Sequence, residues 1–187
     1  MRIIGGQLRG LNLATVGKGD AVAHLRPTSD RVREAIFNLL INGGYGDPVT
    51  GARVLDLFAG TGALGLEALS RGAGRVTFVD DGPTSHALLR QNIALTRSAA
   101  QSVILRRDAT TLSANRSAPY TLAILDPPYA MALGERALAS ALKGGWLAPD
   151  AMVVWEENIA PIVPTALALL DQRRYGETII SILRHRP

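Results

Sequence analysis

From residue 51 onward, short apolar runs alternate with stretches of helical spacing. The runs at 52–58, 75–80, 102–107, 121–126 and 151–156 read as strands, since near-continuous apolar runs of this length suit strands buried on both faces. The stretches between them, 63–71, 84–97 and 133–142, read as helices. Such strand–helix alternation predicts a parallel sheet covered by helices. Residues 167–175 and 177–183, on either side of Gly176, read as a closing antiparallel hairpin. The expected fold class is therefore α/β: a doubly wound, mostly parallel sheet of seven strands with an antiparallel C-terminal strand.

The start of the chain follows a different pattern. Residues 1–16 have strand character, with turn signals at Gly5-Gly6 and Arg9-Gly10. A polar, glycine-containing loop spans 15–24. We expect residues 1–24 to form a small basic β-hairpin extension and residues 25–187 the main domain. Pro27 disfavours helix at Arg26, and Thr28 or Ser29 can cap the helix that follows. That helix places Val32, Ile36, Leu39 and Leu40 on one face and meets a stop signal at Asn42-Gly43-Gly44.

Composition narrows the class. Apolar residues make up 47% of the chain, enough for a sizeable core, which argues against wholesale disorder. The absence of cysteine excludes disulfides and thiolate metal sites, and no residues have metal-ligand spacing. No apolar run approaches the ~18–20 residues of a membrane helix, and the first 30 residues contain no secretory core. A cytoplasmic protein without a membrane partner is expected. Net charge is +4, and the only lysines are Lys18 and Lys143. Up to Glu34 six basic residues face three acidic ones, so +3 of the +4 lies at one end. Arginine forks fit phosphates, and Arg2, Arg9, Arg26, Arg31 and Arg33 are the expected nucleic-acid contacts.

Two motifs carry chemistry. The first follows the strand at 52–58, where Gly60, Gly62 and Gly65 fit G-x-G-x-x-G. Glycine permits the tight turn and lets a ligand reach the backbone. Asp80 ends the next strand, 20 residues after Gly60, where a carboxylate can hold a ribose diol. Together these point to an adenosine-containing cofactor. Asp56 and Phe58 belong to the same turn. Asp56 is expected to accept from a ligand ammonium group, the plainer alternative being a carboxylate that pins the glycine loop. Asp108 ends the third strand and is expected to read an adenine.

The second motif is Asp126-Pro127-Pro128-Tyr129, after the apolar strand at 121–126. The prolines lock φ and remove two N–H donors. What remains is rigid and rich in acceptors: the Asp126 carboxylate and the Pro127 carbonyl. An exocyclic amine on a base offers two N–H donors, and accepting both fixes it with its lone pair free to attack an electrophile. Tyr129 gives the base a stacking face, a role in which its hydroxyl is dispensable.

These residues resemble the bacterial small-subunit ribosomal RNA guanine-N2 methyltransferases. The resemblance runs through Arg2-Ile3-Ile4-Gly5-Gly6, Arg9-Gly10, residues 26–38, residues 56–62, Asp126-Pro127-Pro128-Tyr129 and Tyr175-Gly176-Glu177-Thr178. It implies S-adenosylmethionine as donor, S-adenosylhomocysteine as product and 16S ribosomal RNA as substrate. The expected partner is this RNA within a small-subunit particle, met by a monomer. The family's cofactor residues fall on Asp56, Gly60, Gly62, Asp80 and Asp108, and its base-binding motif on Asp126 to Tyr129. The chain departs from the family after Arg9-Gly10, which fewer basic residues follow; at Asp80, where glutamate is common; and at Glu156-Glu157-Asn158, where Glu-His-Ser is common.

Rival readings are an adenine-N6 methyltransferase of DNA or RNA, a nicotinamide oxidoreductase and a catalytically silent RNA-binding module. His24, His86 and His185 read as surface or structural, Trp146 and Trp155 as packing, and Glu67 as a solvated or capping residue.

Overall fold

The computed structural model describes residues 1–15, 29–129 and 131–186. Among these residues four α-helices and seven strands follow one another as α1 (Asp30–Asn42), β1 (Arg53–Leu57), α2 (Ala63–Ser70), β2 (Arg75–Asp80), α3 (Pro83–Leu95), β3 (Ser102–Arg106), β4 (Tyr120–Leu125), α4 (Leu133–Lys143), β5 (Leu147–Glu157), β6 (Leu167–Tyr175) and β7 (Thr178–His185). Helix α1 begins where the Ser29 hydroxyl accepts from the Val32 N–H at 3.2 Å. This satisfies one of the donors that a helix start leaves open.

The strands form one sheet in the order β3-β2-β1-β4-β5-β7-β6. Strands β1 to β5 pair in parallel, and β7 runs antiparallel to both β5 and β6. Alternation along each strand divides the core in two. Val54, Val76, Phe78, Leu122, Ile124 and Val154 face α1, α2 and α3. Leu55, Leu57, Val79, Ala123, Leu125 and Trp155 face α4. Three helices thus cover one side of the sheet and one covers the other.

The chain winds outward from β1 through β2 to β3, then returns to β4 on the far side of β1. The winding therefore reverses between β1 and β4. In open α/β sheets ligands bind outside the strand ends at such a point.

Strand β5 begins four residues before the expected 151. It passes through Pro149 and Asp150 by a register shift, with Asp150 at φ 60°. A local reading stops at the proline, but pairing of Leu147 with Tyr120 carries the strand across it.

The described part of the N-terminal segment pairs with itself: the Ile3 N–H donates to the Leu11 carbonyl at 2.9 Å and the Leu13 N–H to the Met1 carbonyl at 3.1 Å. Residues 1–15 hold a single antiparallel bridge, Arg2 to Asn12, around a 3-10 turn at Gly6–Leu8. Contacts with the helices hold it in place. Glu67 of α2 accepts from the N–H groups of Ile4 (2.7 Å) and Gly5 (2.8 Å), and Ser70 Oγ accepts from Leu8 N–H at 2.9 Å. Glu67 is fully buried and also paired with Arg71 at 2.6 Å, so it is neither solvated nor a cap. The boundary expected at residue 24 lies outside the described residues, as do Arg26 and His24.

Candidate active site

The glycine turn closes β1 and opens α2. Phe58, Gly60 and Gly62 all have positive φ, at 61°, 54° and 79°. That conformation costs a phenylalanine about 1–3 kcal/mol, and it bends the chain sharply off the strand. Gly62 caps α2 without a side chain, and a Cβ on it would run into Leu89. At Gly65 a Cβ would come within 2.8 Å of Asp56 Oδ2. The missing side chain lets Asp56 accept the Gly65 N–H at 3.0 Å. Asp56 therefore pins the start of α2, the plainer of its two expected roles.

Asp56 is 1% exposed. Burial, together with the charges of Asp126 and Asp80, pushes its carboxyl up to about 8, against the pull of the Gly65 hydrogen bond. Three acidic side chains, from the ends of β1, β2 and β4, thus stand near one another at a single sheet edge. Such a cluster favours a cation.

Asp80 braces the loop from the β2 side. Its Oδ2 accepts from Gly60 N–H at 2.8 Å and its Oδ1 from Gly82 N–H at 2.9 Å. His86 is buried, with Nε2 2.7 Å from the Asp80 carbonyl, a structural position. Asp108 follows β3 and is exposed. The Thr110 hydroxyl, with help from the Thr110 N–H, holds its carboxyl below the usual range. On the other flank, Asn92 of α3 donates to the Thr61 carbonyl at 2.9 Å and accepts from Ala14 N–H at 2.7 Å. The glycine turn and the N-terminal segment therefore share one buried side chain.

The second motif lies beside the first. Leu57 of β1 pairs with Leu125 of β4, so Phe58 and Asp126 leave the sheet side by side. Asp126 is half-buried, Pro127 buried, Pro128 exposed and Tyr129 half-buried. The Tyr129 hydroxyl donates to Glu156 Oε1 at 3.1 Å and lies 3.4 Å from Thr178 Oγ1. Burial and the charges of Glu156 and Asp126 push the phenol up to about 12, against the Thr178 bond. The hydroxyl thus ties the ring to the end of β5. The sequence pattern alone assigns no role to Glu156, Thr178 or Asn92, which the fold brings against Tyr129 and the glycine turn. A glutamate closing an otherwise apolar strand was the available signal for Glu156.

The arginines separate by burial. Arg2, Arg9 and Arg31 are exposed, and Arg2 lies 3.5 Å from Asp30. Arg33 is fully buried and donates to the Arg2 carbonyl at 2.6 Å and to Asp30 at 2.7 Å. A guanidinium without accessible surface offers nothing to a phosphate, so Arg33 joins α1 to the N-terminal segment instead. Trp155 is fully buried against Gly134, and Trp146 stacks on Tyr120, both as packing. Among the described residues no His, Cys, Asp and Glu cluster suits a metal, and no helix is long and apolar enough to cross a membrane.

Comparison with known proteins agrees with this geometry. The chain is 37% identical over 181 residues to ribosomal RNA small subunit methyltransferase D of Escherichia coli (strain K12), covering 95% of this chain and 86% of that one. The protein of the same name from Haemophilus influenzae is 33% identical over 181 residues, covering 94% and 89%. The solved structure of yhhF from Escherichia coli superposes with a TM-score of 0.82 at 34% identity, covering 100% of this chain and 98% of that one. The family model described as "Conserved hypothetical protein 95" matches residues 1–184. With the glycine turn and the Asp-Pro-Pro-Tyr loop side by side at the winding reversal, the chain belongs to this family, that of the small-subunit ribosomal RNA methyltransferases D.

Proposed function

We propose that this chain transfers a methyl group from S-adenosylmethionine to the exocyclic N2 amine of a guanine in 16S ribosomal RNA. One observation carries the reading: the glycine turn and the Asp126–Tyr129 loop leave the two strands between which the winding reverses, β1 and β4. A cofactor held by one and a base held by the other would meet at that edge.

The residues fit the cofactor. The glycine turn presents backbone rather than side chains, Asp80 stands half-buried on the next strand, and Asp56 lies near Asp80 and Asp126, an acidic setting that favours a cationic ligand. Bound there, S-adenosylmethionine supplies an electrophilic methyl on a sulfonium and leaves as S-adenosylhomocysteine. Asp80 would hold the ribose and Asp108 the adenine, while Phe58, Gly60 and Gly62 shape the floor. Asp56 would favour the ammonium end, its charge returning as the cation approaches.

On the substrate side, Asp126 and the Pro127 carbonyl accept the hydrogens of the amine, Pro128 stiffens the loop and Tyr129 stacks on the base. Positioning and preorganised acceptors do the work, without a covalent intermediate. Guanine has adjacent N1–H and N2–H donors that one carboxylate accepts together. Adenine has a lone pair at N1, which a carboxylate repels, and this favours guanine over the adenine-N6 alternative. Relatives named as small-subunit ribosomal RNA methyltransferases support the same substrate class. We further propose that residues 1–24 act as a basic arm on the RNA, with 25–187 carrying the chemistry, and that the protein works as a cytoplasmic monomer on a small-subunit particle.

The test is single-turnover transfer of labelled methyl to small-subunit particles lacking the modification, followed by nucleoside analysis. Label in N2-methylguanosine is expected. Label in N6-methyladenosine, or none, would overturn the reading.

A further inference from the structure

The side of the sheet that carries α4 has a gap. The link between β3 and β4 holds nothing longer than the 3-10 turn Ala109–Thr111, so among the described residues no helix covers β2 and β3 on that side. A groove of about 730 Å³ remains, with Thr77, Val103 and Leu105 among its lining and the 113–118 segment along it. Four arginines line it as well: Arg53, Arg75, Arg107 and Arg116. Among the described residues no carboxylate lines it.

Two of these arginines are held in place. Arg53 donates to the Ala118 carbonyl at 3.0 Å and lies 5.3 Å from the centroid of the Tyr120 ring. Tyr120 in turn stacks on Trp146, with centroids 5.8 Å apart. Arg107 donates to the Ser113 hydroxyl at 2.6 Å. Arg75, Arg107 and Arg116 are exposed. Four guanidiniums, with no carboxylate beside them among the described lining residues, repel one another, and an anion that spans them relieves the repulsion.

We propose that this groove holds the phosphate backbone of a single-stranded stretch of ribosomal RNA away from the base that is methylated. The identity of the RNA rests on the proposed function. Arginine forks match phosphate oxygens and need no base contacts. Tyr120 and Trp146 are 4% and 5% exposed, so they offer a base no stacking face and contact through the groove is sequence-independent. The groove reaches Arg107, one residue before Asp108 at the strand ends, so one RNA strand can run from the methyl-transfer edge down this face.

The test compares wild type with Arg75→Glu/Arg116→Glu, and with the milder Arg75→Gln/Arg116→Gln, after melting curves show that both variants fold. Binding to small-subunit particles and to a mixed-sequence single-stranded RNA is followed by anisotropy across a salt series. Loss of two phosphate contacts should lower the magnitude of the log–log salt slope by about 1.4, at roughly 0.7 per contact with a single strand. An unaltered slope on both ligands overturns the proposal. Weaker particle binding with an unaltered slope also overturns it, and assigns the groove to a ribosomal protein. Methyl transfer plays no part in this readout, so failure of the proposed reaction leaves the groove result standing.

Discussion

The Tyr129 hydroxyl donates to the Glu156 carboxylate across 3.1 Å, tying the loop after β4 to the end of β5. Glu156 is 3% exposed, so removing the hydroxyl takes a donor from a buried acceptor. Tyr129→Phe should lower stability by about 1–3 kcal/mol in urea unfolding. It should also slow methyl transfer, because the ring loses its anchor. With the phenol pushed up to about 12, the hydroxyl stays a donor across the working range, and the wild-type rate should show no alkaline fall from Tyr129 below that region. A Phe variant with wild-type stability and rate would remove the anchor role.

Asp126 contributes to the proposed chemistry after the cofactor is in place. Asp126→Ala should leave S-adenosylmethionine affinity within a few fold and lower single-turnover transfer by ~10²–10³, the scale of one lost preorganised contact. Calorimetry and rapid-quench transfer read the two effects separately. Transfer at the wild-type rate would exclude Asp126 from the reaction.

Asp80 has two functions to lose. Its carboxylate accepts from Gly60 and Gly82 and, in the proposed complex, from the ribose. Hydrogen bonds to a charged group contribute about 1.5–3 kcal/mol. Asp80→Ala should therefore weaken S-adenosylmethionine and S-adenosylhomocysteine roughly 10- to 100-fold in a calorimeter. Equal affinity for both ligands in variant and wild type would leave Asp80 a loop brace only.

Asp56 gives stability a pH dependence of definite sign. Burial raises its folded-state pKa from the ordinary 3.8 to about 8. Between these values the folded protein holds a proton that the unfolded chain has lost, so stability falls as pH rises from about 4 to 8 and levels off above. Asp56→Asn keeps an acceptor for the Gly65 N–H but carries no charge. Melting temperatures from pH 5 to 8.5 should decline for wild type and stay flatter for the variant. Parallel curves would place the titration elsewhere.

The N-terminal arginines should divide by burial. Reversing Arg2 and Arg9, both exposed, should reduce the salt dependence of RNA binding and leave cofactor affinity unchanged. Arg33→Ala should instead lower the melting temperature, since it deprives the Arg2 carbonyl and Asp30 of a buried donor. A stable Arg33→Ala protein with a reduced salt slope would reverse that division.

The order and type of the elements, the glycine turn and the Asp-Pro-Pro-Tyr loop were legible in the amino-acid pattern, because they depend on local quantities. Side-chain period, glycine's access to positive φ and proline's fixed φ act within a few residues. Residues 75–80 form the strand that their apolar run predicts, and the closing hairpin turns at Gly176 as expected. Tertiary structure alone decided which residues meet. The reversal of winding between β1 and β4 depends on strand pairs distant in sequence, and it sets Asp126 beside the glycine turn. Burial decided the charged residues in the same way. Arg33 and Glu67 look like surface side chains in a polar–apolar pattern, yet packing removes both from water, and besides a near neighbour on its own helix each bonds backbone far along the chain. The worth of a charge depends on its solvent and its neighbours, and both are properties of the folded chain.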